Sequence, residues 1–102
     1  MNQALSSLEE MRKAIDCIDT ELVRLFEARM RVSHEIACYK QAQHLQVLDA
    51  GREETVLKSR AAMVSDPSLI PAVIRLFTCI MSLSREAQHQ VLNAERPPET
   101  VD

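Results

Sequence analysis

Hydrophobic residues recur along the first half of the chain at alternating steps of three and four: Leu8, Met11, Ile15, Ile18, Leu22, Leu25, then Val32, Ile36 and Tyr39. That spacing is one face of a helix. Arg29 stands where the pattern expects an apolar residue. Taking a guanidinium out of water without a partner costs several kcal/mol, on the order of what holds a small domain together, so a fold keeps one there only opposite an anion. The anion is either a structural carboxylate, with Glu53 the candidate, or a bound ligand.

Ser6 and Ser7 precede Glu9 and Glu10, forming two overlapping S-x-x-E capping boxes, and nothing then breaks the helical pattern until about residue 43. A helix of that length is roughly 50 Å long at ~1.5 Å per residue, longer than a globule of this size is wide. It must lie along a second chain or a hairpin of its own partners, and a dimer fits better because the remaining sequence is too short to cover both sides. His44 to Leu48 reads as a connection, and Asp49 as the N-cap of a second helix running through Val56, Leu57, Ala61 and Met63 to about Val64. Ser65, Asp66 and Pro67 read as a turn, with Ser68 as a cap and Pro71 inside the first turn of a third helix from about Leu69 to about Asn93. Its apolar face is Ile70, Val73, Phe77, Ile80, Ser84, Ala87 and Val91. The expected domain is 1–94, followed by a flexible polar tail, 95–102, with Pro97 and Pro98.

Composition supports an all-α class: one Gly, four Pro, no Trp and three aromatics leave little turn chemistry for hairpins. A chain of 102 residues with 46% hydrophobic content makes one thin core, so self-association is expected. The formal charge of -3 argues against nucleic acid or an anionic membrane as partner. Cys17, Cys38 and Cys79 form no C-x-x-C and read as reduced core or near-core thiols. No secretory signal is visible and no stretch approaches membrane-spanning length, which places the expected location in the cytoplasm. Met1 and the polar tail fit a free-standing protein.

Polar residues on the helical faces suggest a small anionic ligand. Lys40 follows Arg29 by eleven residues, projecting from nearly the same side of the helix about 16 Å away. Arg12 lies seventeen residues before Arg29, about 25 Å along the helix and about 100° around it, so it does not easily join the same small ligand within one chain; a functional Arg12 is expected to serve a site on a partner subunit. Asp49, Arg52 and Glu53 share one turn, and Ser84 with Gln88 forms an i, i+4 pair. Cations, carboxylates and a neutral amide suit a polyanion bearing a hydroxyl. Each also has a plain structural reading: Lys40 as a surface residue near a helix end, Asp49 as a cap, Arg52 and Glu53 as a solvated face, Ser84 as a packing residue, Gln88 as an interface amide. His34 and Cys38 alone make no zinc site, a single Gly forms no phosphate loop, and no Ser, His and Asp order fits a triad. No metal and no cofactor are expected. The five Met read as core fillers.

Taken together, these residues resemble the all-helical chorismate mutase family over about residues 5 to 93. The resemblance rests on R-x-x-I-D-x-I-D-x-E-L-V-x-L-F-x-x-R from Arg12 to Arg29, then Lys40, then L-D-x-x-R-E from Leu48 to Glu53, then Arg75, Leu76, Phe77 leading to Ser84 and Gln88. It implies three helices per chain, one very long, one short and one medium, in an intertwined homodimer. It implies chorismate, a dicarboxylate, as substrate and prephenate, a precursor of phenylalanine and tyrosine, as product. By position, Arg12 of one subunit and Arg29 of the other clamp the two carboxylates, with Arg52 assisting. Lys40 and Gln88 donate to the ether oxygen, Glu53 and Asp49 accept from the ring hydroxyl, and Ser84 supports a carboxylate or the pocket wall. The rival within this fold is an isochorismate pyruvate lyase, whose members carry apolar residues at the Glu53 and Ser84 positions. Outside enzymes, the rival is a helical dimerisation or regulatory module, which needs no intact polar set. The link before the third helix is slightly short for the family, and Pro71 is unusual in it.

Overall fold

The computed structural model describes residues 7–95; the segment 96–102, which holds nearly all of the expected tail, and Ser6, with its expected capping box to Glu9, lie outside the described residues. Three α-helices form: α1 (Leu8–Ala42), α2 (Ala50–Met63) and α3 (Ile70–Glu95), with a single 3-10 turn, Pro67–Leu69, leading into α3. There is no strand among the described residues.

The chain divides into two units, Met1–Arg31 and Val32–Asp102. In the first, Ser7 and Glu10 close the reciprocal capping box, Ser7 Oγ accepting from Glu10 N–H at 3.0 Å and Ser7 N–H donating to Glu10 Oε1 at 3.2 Å. The seam residues Leu8, Met11, Ile15, Ile18, Leu22 and Leu25 are all exposed, and so is Cys17, contrary to its expected place in a core.

In the second unit α1 ends without glycine. His44 takes φ of 59°, Leu45 N–H donates to Lys40 O at 2.8 Å and His44 N–H to Gln41 O at 3.2 Å, the paired bonds of a Schellman stop. Sequence periodicity places the connection but not this left-handed residue, because histidine rarely signals it. Asp49 caps α2 as expected, its Oδ1 accepting from Arg52 N–H at 2.9 Å. The cap before α3 differs from expectation: Asp66, not Ser68, accepts, from Ser68 N–H at 3.0 Å and from Ser68 Oγ at 2.8 Å. Pro67 needs no N–H partner at the first position of the turn, so the carboxylate one residue earlier takes the role. These two bonds, that from the Ser68 hydroxyl first, hold the Asp66 carboxyl below its ordinary value.

The core of this unit gathers Ala37, Val47, Val56 and Met81, with α2 and α3 packed together. Val56, only 2% exposed, is its most enclosed α2 residue, whereas Met63 points outward at 70%. The stripe of α1 that turns inward is Ser33 and Ala37, while Val32, Ile36 and Tyr39 of the apolar seam stay exposed. At 100° per residue the two stripes are about a quarter-turn apart, and Arg29, half-buried, falls between them on the helical wheel. Hence within Val32–Asp102 the seam positions Val32, Ile36 and Tyr39 are not the α1 face that is buried. Cys79 is also exposed and Cys38 half-buried.

One expectation about hydropathy is corrected. Residues 67–93 form a helix long and apolar enough to cross a membrane by length and composition, with mean hydropathy of 1.5 over an 18-residue window. Arg75, Thr78, Ser82 and Ser84 interrupt its apolar runs, but one charge and three weakly polar residues are outweighed by the Leu, Ile, Val and Phe around them. Only 11% of that window is buried in the single chain, and the buried positions of α3 include a serine and a glutamine.

Candidate active site

The polar centre of Val32–Asp102 is built on α3. Met81, Ser84 and Gln88 repeat at three and four residues and are the buried positions of that helix among the described residues, so its inward stripe turns from apolar to polar within one turn. Gln88 is 7% exposed. Its Nε2 donates to Ser33 Oγ of α1 at 2.9 Å, and its Oε1 is sealed from solvent with no partner. A buried amide oxygen left unpaired is destabilising by about 1–3 kcal/mol, which singles out Gln88 as a functional candidate.

Lys40 lies seven residues after Ser33, on the same stripe of α1 and about 10 Å further along it. Its Nζ donates to Val47 O at 2.7 Å, strapping the connection between α1 and α2 over the buried Val47. An ammonium carries three donors, so two remain. The strap leads directly into Asp49, exposed and engaged in capping, and Arg52, whose backbone N–H it caps and which is itself exposed.

Glu53, in the first turn of α2, is part-buried and forms an ion pair with Arg85 of α3, the residue next to Ser84. The pair ties the acidic turn of α2 to the polar stripe of α3. Since each side chain keeps a quarter to a third of its surface exposed, the pair serves more to aim the carboxylate than to stabilise the fold. Ser84 is buried beside it.

Of the eight residues expected from sequence, Lys40, Asp49, Arg52, Glu53, Ser84 and Gln88 belong to Val32–Asp102, and Arg12 and Arg29 to Met1–Arg31. In the larger unit, direct bonds link Gln88 to α1 and Glu53 to α3. Two members escaped sequence reading. Ser33 stands off the apolar seam, and the signal that points to it is the small pair Ser33 and Ala37 followed by Lys40, a face that another helix can approach closely. For Arg85, nothing local ties it to a residue thirty-two positions away. Among the described residues no group of three His, Cys, Asp or Glu side chains could hold a metal ion.

Such a centre offers a neutral buried amide, an ammonium with spare donors and an aimed carboxylate, which together can bind and polarise a small oxygen-rich anion. No curated protein and no solved structure matches the chain. The family model of chorismate mutase type II matches residues 11–89, from the first turns of α1 to one residue past Gln88. Covering every position of the polar set, that match shows that the chain belongs to the chorismate mutase type II family.

Proposed function

We propose that the protein is a chorismate mutase that rearranges chorismate to prephenate for phenylalanine and tyrosine synthesis, working as a cytoplasmic homodimer of 1–94 domains. The observation that carries the reading is the buried Gln88 carboxamide of α3, with one polar atom lacking a partner, bonded to Ser33 on the same α1 stripe as Lys40. Family membership supplies the substrate class.

In this reading Arg29 and the Arg12 of a second copy meet the two carboxylates, with Arg52 assisting and Ser84 supporting one carboxylate. Glu53, aimed by Arg85, and Asp49 accept from the ring hydroxyl. A Claisen rearrangement breaks a carbon–oxygen bond while forming a carbon–carbon bond in one cyclic step, so the protein must fold the substrate and stabilise charge. Holding the enolpyruvyl group over the ring supplies the orientation. Partial negative charge grows on the ether oxygen as its bond stretches, and fixed donors from Lys40 and Gln88 stabilise that state more than the ground state.

The alternation of three and four along the exposed seam is the spacing with which paired helices interlock, which supports the dimer. Purified protein incubated separately with chorismate and isochorismate tests the activity. Prephenate from chorismate is expected, and Gln88→Leu should lower turnover about 10²–10³-fold with helicity unchanged. Salicylate and pyruvate from isochorismate without prephenate would make the chain a lyase, and no turnover of either would leave a non-catalytic helical module.

A further inference from the structure

The Gln88 amide is oriented against the task just assigned to it. Its donor atom, Nε2, is occupied by Ser33 Oγ at 2.9 Å, and the atom left over is an acceptor. An acceptor facing an ether oxygen that is gaining negative charge would oppose the reaction. Ser33 resolves the conflict because a hydroxyl both donates and accepts. Turning the carboxamide over keeps the same contact between the two side chains: Ser33 Oγ–H donates to Oε1, and Nε2–H becomes the unclaimed atom.

We propose that Ser33 is the positioning residue of this site, holding Gln88 through a reversible hydroxyl bond so that substrate binding commits the amide N–H to the ether oxygen. The inference rests on the mutase reading. Ser33 is 5% exposed, so water cannot take over its role. It stands one turn before Ala37 and two before Lys40 on the inward stripe of α1, which fixes its hydroxyl opposite α3. Without it, both amide orientations would be equally unsupported, and binding would have to order the side chain during each turnover.

The test is a double-mutant cycle on kcat and KM with chorismate. Ser33→Ala should lower kcat about 5- to 10-fold, the worth of one neutral hydrogen bond, with KM within about twofold. Ser33→Thr, which keeps the hydroxyl, should recover most of that loss. In a Gln88→Ala background, Ser33→Ala should change kcat by less than about twofold, since no amide remains to orient. A role in packing alone predicts the same loss in both backgrounds and no recovery by threonine, and that pattern overturns the proposal. A second measurement needs no turnover: the two side-chain amide protons of Gln88 in nitrogen-15-labelled protein should shift and broaden in Ser33→Ala. Unchanged amide signals would show that Ser33 does not hold Gln88. If the wild type makes no prephenate, the mutase reading fails by itself, and these signals still report on the Ser33–Gln88 bond.

Discussion

Replacing Leu22 by aspartate tests whether the seam of α1 is a subunit interface. Leu22 is 56% exposed in the single chain. Full burial of a leucine stabilises by about 1.5–3 kcal/mol, so covering the exposed half contributes about 1 kcal/mol per copy. A two-fold interface contains the residue twice, so Leu22→Ala should weaken association by about 2 kcal/mol, roughly 30-fold in Kd. Aspartate loses the same term and adds a carboxylate that must leave water without a partner, at a cost of several kcal/mol. Together these raise Kd by about 10⁴-fold or more. Sedimentation velocity across nanomolar to micromolar protein reads both values. Met63→Asp is the control, because Met63 is 70% exposed yet lies off the seam, and association should not change. If Arg12 acts across subunits, activity of Leu22→Asp should fall with dissociation and return as protein concentration rises. A wild type that stays monomeric at micromolar concentration, or a Leu22→Asp protein that associates normally, would refute the reasoning.

Three further outcomes follow from the described geometry. Arg85→Leu removes the cation that aims Glu53; with the pair part-exposed, KM for chorismate should rise about fivefold with little change in kcat, and an unchanged KM would show that Glu53 needs no such hold. His44→Gly should raise stability by about 1 kcal/mol, several degrees in Tm by calorimetry, because glycine adopts the positive φ of the α1 stop without strain. The depressed Asp66 carboxyl contributes stability that is fully present above its ordinary value of 3.8 and is lost as pH falls through its lower folded-state value. Ser68→Ala should therefore move the Asp66 titration, followed by carbon-13 NMR of the carboxyl, upward toward 3.8, and a midpoint that stays put would deny the hydroxyl its role.

Local physics made much of this protein legible. The bounds of α1 and α2, the Ser7 and Asp49 caps and the Ser84–Gln88 pair arise from contacts three or four residues apart, which periodicity records directly. The Asp66 cap and the His44 stop were missed even so, since Asp66 competes with Ser68 for the same turn and histidine is a poor marker of left-handed backbone. Family membership was also readable, as it rests on the spacing of a polar set along the helices.

Only the tertiary structure decided which stripe of α1 turns inward. By hydrophobicity Val32 and Ile36 of the seam outrank Ser33 and Ala37, yet the small residues are the ones buried, with Ser33 bonded to Gln88 of α3, while the large apolar ones stay exposed. Nor could spacing pair Gln88 with Ser33, fifty-five residues apart, or Glu53 with Arg85. A sequence states which side chains share a helix face; which faces meet depends on packing between segments distant along the chain, and that is where the polar site is made.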